Sequence, residues 1–370
     1  MSSQWFLGPG PVMAFVVVLC LVLYYLMPRF TRPDVYFAVT VPPEFRDSEE
    51  GWSILRGYRV GVVIFSLLGL LVVLVGAGLR DPEYLVASAL GGLCLQGVGV
   101  FFAYYRARGR VMLHAVPPAT VREAALAPRE VHLPGGGLLQ VPPFALLAGT
   151  AIWLQQHWDE IPAVFPIHWG ADSRPNNWST RSMSGVYGPL LTGALLCALM
   201  GFLAYAMLRW SRPIRVGGSA GEDERRFRIL VPSILVATEY FVALQFVWVA
   251  LLPLAHSQAG PPGLAPVLII ALGFVVVVVA FLMRYGQGGT RLSGSAAAGQ
   301  AAPVGDRTPD KYWKLGLFYI NRDDPALFVE KRFGVGYTLN FGHFGVWVAL
   351  VVLAAVWVAV YLLVPSHHRP

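Results

Sequence analysis

The two residues in this sequence best spaced for chemistry are His168 and Asp172, four positions apart in the polar segment 161–181. On a helix, that spacing would place both side chains on one face, as in a metal site or an acid–base pair. Three prolines and a glycine argue against a helix, because proline lacks the backbone N–H and clashes with the preceding turn. They are Pro162, Pro166, Gly170 and Pro175. Because the segment also lacks the ligand spacing of known zinc sites, we predict a hydrogen-bonded loop with no metal, cofactor or catalytic residue.

Glu239 is the second candidate, because it is the one acidic residue that falls inside a long apolar segment. A carboxylate in the bilayer costs a few kcal/mol, so it is expected to face the interior of a helix bundle. Two roles stay open for it. Glu239 is either a coupling carboxylate that carries protons or a structural residue hydrogen-bonded to Thr238, a tyrosine hydroxyl or Gln96. Gln96, in another apolar segment, is our first choice as partner.

Apolar runs that could position these candidates recur along the whole chain. About twenty apolar residues cross a hydrocarbon core of about 30 Å as a helix, and a helix satisfies its own backbone where no water is present. The composition agrees, with 56% hydrophobic and 13% charged residues and a mean hydropathy of +0.57. We predict an all-α integral membrane bundle of about eight transmembrane helices. They span residues 5–27, 60–79, 84–105, 138–158, 186–208, 229–252, 264–283 and 344–364.

The net charge of +7 is distributed as membrane topology requires. With eight spans and the N-terminus outside, 24 of the 28 lysines and arginines fall in the inner loops. This positive-inside bias predicts a bacterial inner-membrane protein with both termini and segment 161–181 extracytoplasmic. Because topology accounts for the basic charge, nucleic acid is not expected as a partner, whereas the lipid bilayer is.

Segment 161–181 carries a resemblance to a known family. The order Ile-Pro-x-x-x-Pro-Ile-His-Trp-Gly, followed by an aspartate, two asparagines and a tryptophan, resembles the bacterial membrane family called domain of unknown function 1648. The resemblance covers about residues 141–208, and the broad group includes the immunity protein against a sporulation-delaying toxin. Because two predicted spans hold the segment at the bilayer surface, and the relationship to an immunity protein points the same way, we expect it to recognise an extracytoplasmic peptide or small ligand. The candidate ligand residues are His168, Trp169, Asp172, Arg174, Asn177 and Trp178.

A second motif lies near the C-terminus. Residues 313–320 and 327–339 are rich in aromatic and β-branched residues, and turn-forming residues 321–325 separate them. We predict a cytoplasmic β-hairpin, with the β-prone segment 34–41 as a third strand because an isolated hairpin is marginal in water. The segment resembles domain of unknown function 5808. Its matching residues include Trp313, Lys314, Tyr319, Asn321, Asp324, Lys331, Arg332 and Asn340. Lys331 and Arg332 are expected to meet lipid phosphates.

The predicted organisation has five parts. They are a three-helix segment (1–137), a membrane domain (138–285) with the loop 159–185, a flexible linker (286–305), the β motif (306–342) and a last helix with a tail (343–370). We expect a non-enzymatic sensor, regulator or immunity protein, because no set of nucleophile, base and orienting group is visible. A secondary transporter using Glu239 is the alternative, although no internal repeat supports it. A cytoplasmic or membrane protein is a further expected partner.

Overall fold

The computed structural model describes residues 9–79, 81–117, 132–169, 175–212, 218–255, 265–285, 287 and 308–363. The structure is 74% helical. Its described α-helices are α1 (Pro9–Leu26), α2 (Glu49–Gly78), α3 (Pro82–Val111), α4 (Val141–Gln156), α5 (Met183–Trp210), α6 (Gly218–Ala255), α7 (Ala265–Tyr285) and α8 (Phe344–Leu363). The described strands are β1 (Val35–Tyr36), β2 (Val39–Thr40), β3 (Val164–Trp169), β4 (Pro175–Thr180), β5 (Trp313–Lys314), β6 (Phe318–Tyr319), β7 (Phe328–Glu330) and β8 (Tyr337–Leu339).

Six helical segments of the described chain are long and apolar enough to cross a membrane. They are Gly10–Arg29, Glu49–Gly78, Glu83–His114, Pro134–Gln156, Met183–Trp210 and Arg225–Leu254. Helices α7 and α8 contribute shorter apolar stretches, Ala271–Ala280 and Phe344–Val358. The predicted mostly helical, multi-pass membrane architecture is therefore confirmed, with six spans identified among the eight expected.

Polar caps explain why helices extend beyond their apolar runs. Helix α2 begins at Glu49, whereas the predicted span starts at residue 60. The Ser48 hydroxyl oxygen accepts a hydrogen bond from the Gly51 N–H at 3.1 Å. Glu49 and Glu50 add negative charge beside the positive end of the helix dipole. These residues nucleate the first turns before the hydrocarbon-compatible sequence begins.

The chain divides into two compact units, each built from separated segments. Unit 1 comprises residues 1–127, 212–227 and 280–344. In it, α2 and α3 approach closely at Gly69 and Gly92, where a Cβ on Gly69 would lie 2.6 Å from the Gly92 carbonyl oxygen. Gln96 is buried there, and its Nε2 donates to the Val17 carbonyl oxygen at 3.0 Å and to Ser66 Oγ at 2.8 Å. Gln96 thus joins α1, α2 and α3.

Unit 2 comprises residues 128–211, 228–279 and 345–370. Its core is formed by apolar side chains of α4, α5 and α6, together with two residues that precede or begin β3. These residues include Leu147, Leu154, Ile161, Phe165, Val186, Leu190, Ala243 and Ala250.

The described strands form four separate antiparallel pairs, and this corrects the predicted sheet. Segment 313–320 folds back on itself as β5–β6, with Leu315 and Gly316 at positive φ in the turn. Segment 327–339 likewise closes as β7–β8. Between them a single parallel bridge joins Tyr319 to Asn340. The prediction of one long hairpin was therefore wrong, although 321–325 is a turn as expected.

Segment 34–41 also pairs with itself. Val35 faces Thr40 in β1–β2, and the chain reverses at Phe37 and Ala38, whose φ angles are 44° and 62°. Within the described residues it supplies no third strand to β5–β8, so that prediction was wrong. Its link to the C-terminal segment is made instead through the Asp310 carboxylate, which accepts from the Thr40 hydroxyl and from the Thr40 N–H.

Candidate functional site

The polar segment 161–181 forms an antiparallel β-hairpin, β3–β4. Pro166 lies opposite Trp178 and His168 opposite Asn177, and the register shifts around Ile167. The prediction that this segment is not helical is confirmed. Of His168 and Trp169 the structure describes the backbone only, and Asp172 and Arg174 lie outside the described residues.

Both ends of the β3–β4 hairpin are fixed to unit 2. Ile161 and Phe165 are buried in the unit 2 core. Arg181 Nη1 donates to the carbonyl oxygens of Trp158, Asp159 and Ile161 at 3.1–3.2 Å. The strands therefore rest on a defined base.

The edges of the β3–β4 hairpin are poorly suited to adding another strand. The Arg181 N–H donates to the Ala163 carbonyl oxygen at 2.9 Å, so by antiparallel alternation the Pro166–Trp178 pair directs its backbone groups outward. Pro166 has no N–H, and the Trp178 N–H donates to the Asn177 side-chain oxygen at 2.9 Å. The Thr180 carbonyl oxygen accepts from the Ser182 N–H at 2.8 Å. Of the outward groups that an added strand would need, one N–H is therefore absent, and one N–H and one carbonyl oxygen are already bonded.

The face of the hairpin opposite the core is mainly apolar. Because side chains alternate along a strand, the burial of Phe165 and Ser179 places Val164, Pro166 and Trp178 on the other face. The exposed carboxylates of Asp159 and Glu160 lie just before the hairpin in sequence. This apolar face, formed by Val164, Pro166 and Trp178 and here called the apolar ledge, has negative charge close to it in sequence. It is suited to a ligand that is both apolar and cationic.

Glu239, on α6, is completely buried in unit 2. None of its surface is exposed, and neither carboxylate oxygen has a hydrogen-bond donor among the described residues. Cys197 Sγ donates to the backbone carbonyl oxygen of Glu239 at 3.4 Å and leaves the carboxylate unsatisfied. The predicted hydrogen bond to Gln96 is wrong, because the Gln96 amide is bonded within unit 1 and gives nothing to these oxygens.

In unit 1, the described residues 308–343, here called the motif segment, contain a buried cluster around Asp324. Asp324 Oδ2 accepts from Arg212 Nε at 3.0 Å and from the Tyr319 hydroxyl at 2.9 Å. Arg212 Nη2 also bonds Asp324 and lies 2.9 Å from the Tyr319 oxygen. Asn321 Nδ2 donates to that same hydroxyl at 3.1 Å. Tyr319, Asn321 and Asp324 of the motif segment therefore share one network with Arg212.

The charges of the cluster alter its titration. Burial alone would raise the pKa of the Asp324 carboxyl, but the Arg212 guanidinium, its hydrogen bond and those from Ala326 N–H and the Tyr319 hydroxyl hold it below its usual value. Burial raises the pKa of Tyr319 to about 12, against the opposing effect of Arg212. At neutral pH, Asp324 is thus an ionised acceptor and Tyr319 a neutral donor.

Asn340 holds the backbone of the turn that carries Asp324. Its Oδ1 accepts from the N–H groups of Asn321 and Gly342 at 3.0 and 3.1 Å. Its Nδ2 lies 2.8–3.2 Å from the carbonyl oxygens of Asn321, Asp324 and Ala326. One completely buried amide therefore satisfies five backbone groups, as a turn without regular secondary structure requires.

A second cluster surrounds Arg332, whose side chain has no exposed surface. Its guanidinium bonds the Asp310 carboxylate and the Thr308 carbonyl oxygen, lies 3.3 Å from Thr40 Oγ1 and stands over the Trp313 ring. The expected contact of Arg332 with lipid phosphate is therefore wrong. Lys331 and Lys314, by contrast, are exposed.

The Asp310 carboxylate also connects the motif segment to β2. Asp310 Oδ1 accepts from the Thr40 hydroxyl at 2.8 Å, and Oδ2 accepts from the Thr40 N–H at 3.3 Å. Nearby, Arg108 Nη1 donates to the Ala38 carbonyl oxygen at 2.7 Å, and the Tyr104 hydroxyl donates to the Leu315 carbonyl oxygen at 3.1 Å. Segments far apart in sequence thus meet within unit 1.

The candidate residues fall into separate groups. The structure unites Tyr319, Asn321, Asp324 and Asn340 in one cluster and Trp313 and Arg332 in another. Sequence reasoning missed their partners Arg212, Asp310, Thr40 and His343. The charged residues beside the turns are visible in the sequence. Nothing in one sequence specifies which of them form a pair, as Arg212 and Asp324 do across 112 positions. In the described residues no group of three metal-binding side chains occurs.

These features define a mostly helical, multi-pass membrane protein with small strand pairs. Within it, residues 322–347 match the family of unknown function DUF5808. The match confirms the resemblance for the part of the motif segment that contains Asp324, Lys331, Arg332 and Asn340. No curated protein and no solved structure matches the chain.

Proposed function

We propose that this chain is an eight-span bacterial inner-membrane protein that recognises an extracytoplasmic ligand through the β3–β4 hairpin and performs no catalysis. The positive-inside charge distribution supports this orientation, with both termini outside and the motif segment in the cytoplasm. The resemblance of residues 141–208 to the domain of unknown function 1648 group, which includes a toxin immunity protein, supports a sensor, regulatory or immunity role.

The observation that carries the proposal is the construction of the hairpin. Its base is held by Phe165 and Arg181, whereas Val164, Pro166 and Trp178 form an apolar face away from the core. Asp159 and Glu160 are exposed beside it in sequence. The complementary ligand is a cationic amphipathic peptide that travels along the membrane surface, with its apolar face on the ledge and its basic side chains near the carboxylates.

A direct test uses the full chain in nanodiscs and a synthetic amphipathic peptide of leucine and lysine. A fluorescent dye on Thr180→Cys, in a background lacking Cys20, Cys94 and Cys197, reports binding. We expect Trp178→Ala to weaken peptide binding about tenfold or more, because aromatic residues dominate binding surfaces. Trp52→Ala on α2, which removes another partly exposed tryptophan, should leave it unchanged.

Empty nanodiscs measure how much peptide partitions into lipid alone. Equal affinity of wild type and Trp178→Ala, at the level set by lipid partitioning, would reject the hairpin as the recognition site. If Trp52→Ala weakened peptide binding and Trp178→Ala did not, the binding site would lie in unit 1, and the proposal would also be rejected.

Glu239 supports a second candidate function, a secondary transporter that uses it as coupling carboxylate. A completely buried carboxylate without a hydrogen-bond donor in the described residues is costly unless it exchanges a proton or cation during the cycle. Proteoliposomes under an inside-negative potassium diffusion potential would reveal proton entry with a trapped pH-sensitive dye. On this alternative, wild type takes up protons and Glu239→Gln does not. Equal proton entry in the two proteins would exclude it.

A further inference from the structure

Two polar side chains of unit 2 have buried atoms without hydrogen-bond partners among the described residues. One is the Glu239 carboxylate, with both oxygens unpaired, and the other is the Gln140 amide, with its Nε2 unpaired. Glu239 lies on α6, and Gln140 is the last residue before α4. One ligand can satisfy both groups only if they lie together.

The packing of α5 against α6 fixes the level of Glu239. A Cβ on Gly193 of α5 would lie 2.8 Å from the Phe246 Cβ of α6. One turn further along α5, Cys197 Sγ donates to the Glu239 carbonyl oxygen. Gly201 is eight residues after Gly193, and Glu239 is seven residues before Phe246. Because the helices run in opposite directions and each rises about 1.5 Å per residue, Gly201 and Glu239 stand at the same level.

The Gln140 amide also lies beside Gly201. A Cβ on Gly201 would be 3.1 Å from both the nitrogen and the oxygen of that amide. The Tyr240 hydroxyl donates to the Leu139 carbonyl oxygen at 2.6 Å, and these two residues are the sequence neighbours of Glu239 and Gln140. The two unpaired groups are therefore brought to the same turn of α5, where the glycine leaves room for the amide.

The ligand that suits this pair is a small cation. An isolated buried carboxylate is costly, so its charge is normally neutralised by a partner or a bound ion. No described residue donates to the Glu239 carboxylate. The Gln140 amide carries no charge, but its oxygen is an additional acceptor and its nitrogen an additional donor.

We propose that Glu239 and Gln140 together bind one monovalent cation, a proton or a sodium ion. With a proton bound, the carboxyl O–H donates to Gln140 Oε1 and the amide N–H donates to the other carboxyl oxygen. With sodium bound, the carboxylate oxygens and Oε1 are ligands. This site adds Gln140 to the transporter alternative but requires binding only, and it is independent of peptide recognition by the hairpin.

The test uses the full chain in nanodiscs at neutral pH. A bound proton gives the infrared C=O band of a carboxylic acid, which appears in the difference between wild type and Glu239→Gln. Bound sodium raises the melting temperature when sodium chloride replaces choline chloride at constant ionic strength, because the ion binds the folded state. We expect one of these signals in wild type and its loss in Glu239→Gln.

Two variants test the part played by the amide. Gln140→Leu removes it, and Gly201→Ala displaces it. In both we expect the acid band to move to the frequency of a carboxyl without hydrogen bonds, or the sodium concentration for half-maximal stabilisation to rise about tenfold or more. The matched controls are Gln156→Leu, at an exposed position of α4, and Gly149→Ala, whose Cβ would meet nothing within 4 Å. Both controls should keep the wild-type signal.

Absence of both signals from wild type would overturn the cation site. A wild-type signal in both Gln140→Leu and Gly201→Ala would overturn the role of the amide. If Glu239→Gln does not fold, the comparison of Gln140→Leu with Gln156→Leu decides, and identical signals overturn the proposal. Transport is tested separately by the trapped dye, so equal proton entry in wild type and Glu239→Gln rejects the transporter and leaves a positive binding signal as support for the site.

Discussion

The motif segment and the β3–β4 hairpin are both short, polar and marked by sequence resemblance, yet the first buries its key polar side chains, whereas the second turns a mainly apolar face away from the core. In the motif segment, Asn340 and Arg332 are buried and form hydrogen bonds with backbone and carboxylate groups of the same unit. In the hairpin, Arg181 and Phe165 hold the base while other side chains lie on the face away from the core. A recognisable motif can therefore mark either a fold requirement or a surface for recognition.

The largest expected effect follows from removing Arg332. Arg332→Ala removes the guanidinium from the Asp310 carboxylate, which keeps only its bonds from Thr40, and from two further oxygens, and breaking a buried pair on one side costs about 3–5 kcal/mol. We expect unfolding of unit 1 at markedly lower denaturant concentration in mixed micelles. Lys331→Ala, an exposed neighbour, is the control and should change the unfolding free energy by less than about 0.5 kcal/mol. If both substitutions lowered the unfolding free energy by similar amounts, the contrast between buried Arg332 and exposed Lys331 would be contradicted.

Asn340→Ala should have the next largest effect. It removes the amide that bonds five backbone groups around the Asp324 turn, of which the Asp324 carbonyl oxygen keeps its bond from His343. Each buried group left unsatisfied costs about 1–3 kcal/mol where water cannot replace the amide. We expect a loss of about 3 kcal/mol, together with new protease cleavage in residues 321–343. Asn177→Ala in the hairpin should cost much less, because its side chain is only half-buried and accepts from the adjacent Trp178 N–H. If Asn177→Ala lowered the unfolding free energy more than Asn340→Ala, the assignment of a structural role to the motif segment and not to the hairpin would be contradicted.

A smaller effect is expected from pH at Asp324. Its pKa is lower in the folded chain than its ordinary value, so ionisation stabilises the fold above that value and the gain is lost as pH falls through the folded pKa. The difference in melting temperature between wild type and Asp324→Asn should be constant from neutral pH to about pH 5 and shrink below about pH 4. Asp323→Asn, lacking the Arg212 contact, should show no such trend. A difference that does not shrink at all as the pH falls below about 4 would exclude the ion pair as its source.

These results also show what one sequence could predict. Hydropathy located six spans found in the structure, and proline and glycine spacing correctly excluded a helix at 161–181. The strand pairing was predicted wrongly because Phe37, Ala38 and Leu315 adopt positive φ, which is rare for such residues and carries no local sequence signal.

The partners of the clusters were beyond sequence reasoning for a different reason. Thr40 and Asp310 are 270 positions apart, and a hydroxyl or carboxylate can pair with many groups of suitable charge. Their selection depends on how the segments of unit 1 fold together. Glu239, in contrast, was identifiable from its apolar surroundings alone, although the sequence did not predict that no described residue donates to its carboxylate.

The smallest effect on stability is expected from the hairpin turn. Alanine at His168, Asp172 and Arg174 leaves the anchors Phe165 and Arg181 in place, so the unfolding free energy and the amount inserted in the membrane should stay near wild type, within about 0.5 kcal/mol. Peptide binding in the nanodisc titration should nevertheless be lost if these side chains supply polar contacts to the ligand. The matched comparison is Glu239→Gln, which should bind the peptide as wild type does. If the triple variant binds normally and only Glu239→Gln alters function, recognition by the hairpin fails and the transporter alternative takes its place.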